Sequence, residues 1–88
     1  MPEEPTHFVY MVRCADGTLY TGYTTDVARR VAEHNAGTGA RYTRGRTPVT
    51  LVYSEAHATQ SEAMQREYAI KQLQRSAKQA LIASPTDA

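Results

Sequence analysis

The stretch His7-Phe8-Val9-Tyr10-Met11-Val12-Arg13-Cys14-Ala15-Asp16-Gly17-Thr18-Leu19-Tyr20-Thr21-Gly22-Tyr23-Thr24 decides how the chain begins to fold. His7 to Arg13 is rich in Phe, Val and Tyr and reads as a strand; Thr18 to Thr24 resumes that composition. Ala15-Asp16-Gly17 between them is turn chemistry, so the two strands form a hairpin. The turn type sets the register. A two-residue Asp16-Gly17 loop pairs Arg13 with Tyr20 and sends Tyr10 and Tyr20 to opposite faces, because side chains alternate along a strand. A three-residue Ala15-Asp16-Gly17 loop gives Gly17 the left-handed position that glycine tolerates. Cys14 then faces Thr18, Val12 faces Tyr20 and Tyr10 faces Gly22, with both tyrosines on one side. The second arrangement is expected.

Thr24-Thr25-Asp26 supplies N-cap side chains for a helix from about Asp26 to Asn35. Rotating about 100° per residue centres Val27 and Val31 on its apolar stripe and lays Arg30 and His34 along one edge. Arg29 and Glu33 point to water as a modest surface pair. Ala36 to Pro48 is a 13-residue connection with three glycines, and Val49 to Ser54 is a third strand. Thr59-Gln60-Ser61-Glu62 fits a capping box opening a helix to about Gln74, with Glu62 serving as a cap. Ser76-Ala77-Lys78-Gln79 fits another, for a short last helix before Pro85. The order ββαβαα implies an α/β chain of the α+β type: a three-stranded, mainly antiparallel sheet flanked by helices. If the third strand pairs with the first, the outer strands run parallel and the first helix is their crossover.

The 88 residues are read as one domain, 1–88, with frayed ends near 1–6 and 84–88. No apolar stretch approaches roughly 18 residues and no leader-like segment opens the chain, so neither a membrane span nor a signal peptide is expected. The single cysteine, Cys14, suits a reducing cytoplasm and a small buried role. Net charge is only +1, yet residues 29 to 46 carry Arg29, Arg30, Arg41, Arg44 and Arg46 against Glu33 alone. Arginine forms forked contacts with phosphate, so this local polarity marks a candidate anion-binding face. Arg41, Arg44 and Arg46 would track phosphates and Tyr42 would stack; a solvated loop is the plainer reading.

Tyr10, Tyr20, Arg30 and His34 bring two phenols, a guanidinium and an imidazole within reach of one hairpin and one helix. They offer a proton acceptor, a phosphate clamp and a proton relay, which phosphodiester hydrolysis requires. On the second long helix, Ala63, Met64, Tyr68 and Ile70 make the inward stripe, with Glu67 in its middle. An inward carboxylate must be paired, for instance with Lys71 or a tyrosine hydroxyl, or must ligate a metal. His7 and His57 are read as ordinary structural residues.

At these positions the chain resembles the GIY-YIG nuclease family, in particular its small, single-domain YhbQ-like (UPF0213) group. Phe8-Val9-Tyr10 corresponds to the first motif half and Tyr20-Thr21-Gly22 to the second; Arg30, His34 and Glu67 follow in family order. Arg13 to Gly17, Glu33-His34-Asn35 and Arg41 to Gly45 look typical of the small-protein group. Phe8 and Thr21 replace the glycine and isoleucine of the family name, at positions that supply no reacting group. The resemblance spans roughly His7 to Ile82. It implies a metal-dependent endonuclease that cuts one DNA strand, with Tyr10, Tyr20, Arg30, His34 and Glu67 catalytic and Glu67 holding one Mg²⁺ or Mn²⁺. An adjacent guanidinium would favour the phenolate of Tyr10 as general base, with Tyr20 orienting water or phosphate, or the two roles exchanged. Little in the chain is suited to reading bases in a groove, so selectivity for branched, nicked or single-stranded DNA is expected. The small contact area of the domain leaves room for a protein partner that supplies further DNA contacts. The alternative is a non-catalytic nucleic-acid-binding module or subunit of a DNA repair complex.

Overall fold

The computed structural model describes residues 6–83. The ends expected to fray fall almost wholly on 1–5 and 84–88, outside the described residues. The elements run β1 (His7–Arg13), β2 (Leu19–Thr24), α1 (Val27–Asn35), a 3-10 turn (Arg41–Thr43), β3 (Thr50–His57), α2 (Gln60–Lys71) and α3 (Arg75–Ala83). The sheet order is β2-β1-β3, and both outer strands pair antiparallel with β1. The outer strands are therefore parallel to each other, as expected when the third strand pairs with the first.

The hairpin takes the three-residue turn. Gly17 has φ 87°, its N–H donates to the Cys14 carbonyl at 2.9 Å, and the Cys14 N–H donates to the Thr18 carbonyl at 2.8 Å. Val12 consequently pairs with Tyr20 and Tyr10 with Gly22. Asp16 fastens the turn by accepting from the Thr18 backbone N–H and hydroxyl. β3 is longer than the sequence suggested and carries a bulge opposite the Met11/Val12 step.

The alternation of β1 divides the core. Val9 and Met11 meet Ala63 and Ile70 of α2, with Leu81 and Ile82 of α3 packed alongside. Tyr10, Val12 and Cys14 face the other way, against Val49, Tyr20 and Val31 of α1. Cys14 is a buried free thiol, as expected. None of the described helices is long and apolar enough to cross a membrane.

Helix boundaries follow their caps. Asp26 lies outside α1 as its N-cap and accepts from the Arg29 N–H. Thr59 caps α2 by accepting from the Glu62 N–H. α2 stops at Lys71 rather than Gln74, and α3 begins at Arg75. Ser76 therefore sits inside α3 and does not cap it; the Gln74 carbonyl accepts the first helical bonds from Ala77 and Lys78. The inward stripe of α2 also needs correction. Ala63 and Ile70 are buried, but Met64 is 43% and Tyr68 67% exposed. Positions 63, 67 and 70 share the inward face, so the helix is rotated toward Glu67 relative to the expected stripe.

The connection from Ala36 to Pro48 is pinned at its ends. The Asn35 side chain donates to the Val49 carbonyl at 3.2 Å and accepts from the Val49 N–H at 2.7 Å. The Ala15 N–H donates to the Arg46 carbonyl at 2.7 Å, tying the loop to the hairpin turn.

Gly22 makes room for the Tyr10 ring. A Cβ there would lie 2.5 Å from the Tyr10 hydroxyl oxygen and 2.7 Å from Cζ. Gly22→Ala should therefore displace that ring and cost about 1–3 kcal/mol, the usual range for overpacking, measured by urea denaturation. Wild-type stability in this variant would contradict the close approach.

Candidate active site

The shared face of the hairpin gathers three rings. Tyr10 and Tyr20 have centroids 6.4 Å apart, and His34 lies 5.8 Å from Tyr10 and 5.4 Å from Tyr20. His34 was expected at the edge of the apolar stripe of α1; it is instead fully buried at the centre of the site. The loop after α1 folds back over the imidazole, which accounts for the difference. Gly39 passes so close to His34 that a Cβ would clash with the ring and with the His34 Cα.

Burial obliges the imidazole to find partners on both nitrogens. Nε2 is 2.7 Å from the Tyr10 hydroxyl, and Nδ1 is 2.8 Å from the Thr43 hydroxyl. Thr43 in turn donates to the Ala40 carbonyl at 2.9 Å. On that assignment the Thr43 oxygen accepts from Nδ1–H, and the Nε2 lone pair accepts from the Tyr10 hydroxyl. The Ala40 N–H also approaches Nδ1, at 3.4 Å, too long to compete with the 2.8 Å contact. Burial and the nearby charge of Arg30 hold His34 below its ordinary pKa, so it is neutral at pH 7.

Tyr10 departs from the sequence-based expectation of a favoured phenolate. Burial pushes its phenol up to about 12; Arg30 pulls it down, while Tyr20 and Glu67 raise it. Burial wins, and the resting group is a phenol. Arg30 lies against this phenol while its hydrogen bond is to Glu33, at 2.9 Å. Glu33 thus pairs more closely with Arg30 than with Arg29, whose Nε is 3.6 Å away. Both arginines keep substantial exposure, so the guanidinium of Arg30 stays available to an anion.

Glu67 enters from α2. Its side chain is 15% exposed and 3.2 Å from the Lys71 Nζ, the i, i+4 pairing anticipated as the simpler reading. Lys71 also lies 5.9 Å over the Tyr20 ring, so the pair borders the aromatic cluster. Among the described residues no group of three His, Cys, Asp or Glu assembles to hold a metal. A single, largely buried carboxylate is a hard oxygen donor. It fits a cation that keeps most of its own waters, as Mg²⁺ does.

Of the arginine-segment residues, Tyr42 stacks on Tyr20 at 5.7 Å and 20°. Arg46 stacks on Tyr42 at 4.3 Å, bonds the Tyr42 carbonyl at 2.8 Å and pairs with Asp16 at 2.6 Å. Arg41 and Arg44 project from the exposed side of the same turn. The sequence reading did not single out Thr43, Gly39 or Asn35. Thr43 and Asn35 fell inside stretches that look typical of the small-protein group, but no period or spacing assigned either side chain a role.

His57 belongs to a polar network of side chains around Glu55. It bonds Glu55 at 2.7 Å, and Glu55 also accepts from Tyr53 and, at 2.8 Å, from Arg66. Burial alone would raise the Glu55 carboxyl; its three donors outweigh that and hold it low. The network lies on the opposite sheet face, with Val9 and Met11.

The family model described as the GIY-YIG catalytic domain matches residues 6–80. The chain belongs to the GIY-YIG family. This is a family of nucleases whose members generally use divalent metal ions. Within it, the chain is 69% identical over 75 residues to a UPF0213 protein of Halobacterium salinarum, covering 85% of this chain and 97% of that one. It is 57% identical over 77 residues to a UPF0213 protein of Staphylococcus aureus, covering 88% and 94%. The solution NMR structure of a UPF0213 protein from Bacillus halodurans matches with 51% identity and a TM-score of 0.58, covering 88% of this chain and 82% of that one. A solution structure from E. faecalis matches with 42% identity and a TM-score of 0.62, covering 96% and 90%.

The lowered pKa of His34 fixes the sign of a pH effect. The unfolded chain takes up a proton near the ordinary histidine value of about 6.5, before the folded chain does. The contribution of neutral His34 to stability is thus present above that value and lost as pH falls toward the folded one. The urea midpoint should drop between pH 7.5 and pH 5, and an NMR titration should place the His34 midpoint below about 6.5. A His34 midpoint at or above that value would refute the assignment.

Proposed function

We propose that the protein is a metal-dependent endonuclease that hydrolyses DNA phosphodiester bonds, acting on branched, nicked or single-stranded DNA rather than on a base sequence. The observation that carries this reading is the 2.7 Å contact between the Tyr10 hydroxyl and Nε2 of a neutral, buried His34, with Arg30 against the same phenol. A phenol of high pKa is a poor base by itself. A neighbour able to take its proton removes that obstacle. As the Tyr10 oxygen accepts a proton from the attacking water, its own proton passes to Nε2. The hydroxide equivalent bonds to phosphorus, the bond to the leaving sugar oxygen breaks, and that oxygen recovers a proton from solvent or the imidazolium.

Arg30 bears the charge that builds on the phosphate. In the resting chain the Tyr10 hydroxyl is covered. A phosphate drawing Arg30 away from Glu33 would uncover it. Tyr20, half-exposed beside it, orients the water or the phosphate. Glu67, together with substrate oxygens and waters, would hold Mg²⁺ or Mn²⁺, which when bound supplies charge neutralisation at the phosphate. The Lys71 ion pair must loosen for it to do so. Arg41 and Arg44 follow the backbone of the strand, whereas Arg46 is engaged by Asp16 and Tyr42; Tyr42, stacked on Tyr20, would offer a ring to a base only as Arg46 parts from it. The same contacts suit a cytoplasmic protein of DNA repair, with a partner supplying further DNA contacts.

The covered Tyr10 hydroxyl favours one other reading, a DNA-binding module that has kept the scaffold without turnover. Incubation with branched, nicked and single-stranded DNA, with and without Mg²⁺ or Mn²⁺, separates the two. Metal-dependent cleavage is expected, reduced roughly 10²–10³-fold in Arg30→Ala and lost in Glu67→Ala, with DNA still bound. Tyr10→Phe should be more damaging than Tyr20→Phe. Binding without cleavage by the folded wild-type chain, across all substrates and both metals, would leave the module reading in place of the enzyme.

A further inference from the structure

The loop that carries the arginines also touches the acid-base pair, and it does so through one hydroxyl. Thr43 is fully buried although it lies between the exposed Tyr42 and Arg44. The 3-10 turn at Arg41–Thr43 directs both of its donors to one acceptor. The Thr43 N–H reaches the Ala40 carbonyl at 3.1 Å, and its hydroxyl reaches the same oxygen at 2.9 Å. A hydroxyl has a single proton. With that proton committed to Ala40, the Thr43 oxygen can only accept at its 2.8 Å contact with His34 Nδ1. On that assignment, which sets the 2.8 Å Thr43 contact above the Ala40 N–H directed at Nδ1 from 3.4 Å, the ring carries its proton on Nδ1 and presents a bare lone pair at Nε2, where Tyr10 waits at 2.7 Å. Gly39 lets the backbone close over the imidazole and bring Thr43 within reach.

We propose that Thr43 is a positioning residue that locks His34 in the Nδ1–H tautomer, so that Nε2 is free to accept the proton of Tyr10. The partner of one ring nitrogen decides what the other can do. With the opposite tautomer, Nε2–H would donate to the Tyr10 oxygen and block transfer from it. The kinetic half of the proposal rests on the nuclease reading above; the tautomer half does not.

The test uses the full chain with ¹⁵N-labelled histidine and reads the His34 tautomer from ring-nitrogen shifts by long-range ¹H–¹⁵N correlation. The wild type should show Nδ1–H. Thr43→Val, which keeps the shape and removes the hydroxyl, should lose that preference, and Thr43→Ser should restore it. In cleavage assays Thr43→Val should lower kcat roughly tenfold or more, a part of the 10²–10⁴-fold that general acid-base catalysis supplies. KM should stay nearly unchanged, and Thr43→Ser should recover kcat. A purely structural role would give neither the tautomer change nor the kcat-selective loss. A wild-type His34 protonated on Nε2 overturns the proposal, as does a Thr43→Val chain that keeps Nδ1–H. If Thr43→Val does not fold, the wild-type and Thr43→Ser spectra decide. Should the wild type show Nδ1–H yet cut no DNA, the tautomer lock stands and the nuclease reading is what fails.

Discussion

The site depends on a hydrogen bond between residues 24 positions apart, from the Tyr10 hydroxyl on β1 to Nε2 of His34 on α1. Both side chains are buried, so neither can satisfy its polar atoms from water. Breaking the bond leaves two groups unpaired in a dry setting, at roughly 1–3 kcal/mol for each. Much of the surrounding structure can be understood as what that contact requires. Gly22 leaves space for the phenol, Gly39 lets the following loop close over the imidazole, and Thr43 satisfies the remaining nitrogen. Burial keeps the imidazole neutral, and Arg30, one helical turn before His34, adds to that effect and holds the phenol under a positive field.

The hairpin was legible because its information is local. Glycine at position 17 selects the turn, the turn selects the register, and the register decides that Tyr10 and Tyr20 share a side. Asp26 and Thr59 were readable for the same reason, since a cap acts within three residues of itself. The sheet order was conditional on the third strand pairing with the first, and that pairing is the one observed. By contrast, the burial of His34 comes from Gly39 and Thr43 folding back from beyond the end of the helix. No periodicity inside α1 encodes that. The rotation of α2 was missed because its apolar residues are spread around the helix, so that Met64 and Tyr68 looked as inward as Ala63 and Ile70.

Two charged pairs illustrate how little a spacing argument fixes in advance. Glu67 with Lys71 matched the i, i+4 expectation. Glu33 favoured Arg30, three positions back, over Arg29, four back. The difference is environment: Arg30 is half-screened against Tyr10, where its partner is worth more than one in open water. The raised pKa of Tyr10 teaches a similar lesson, since sequence shows the neighbouring cation but not the desolvation that outweighs it.

The side-chain amide of Asn35 pairs with both backbone groups of Val49, and this has a consequence for the thirteen residues enclosed between them. The amide imitates a strand neighbour and shuts the mouth of the loop, so the sheet does not sense the length or content of what projects beyond it. Within the enclosed segment, Gly39, Thr43, the Tyr42–Tyr20 stack and the Arg46 contacts with Ala15 and Asp16 are tied to the site and the hairpin, which leaves Arg41 and Arg44 as the side chains facing outward. Those two cations can be exchanged to suit a different polyanion while the rings beneath keep their places.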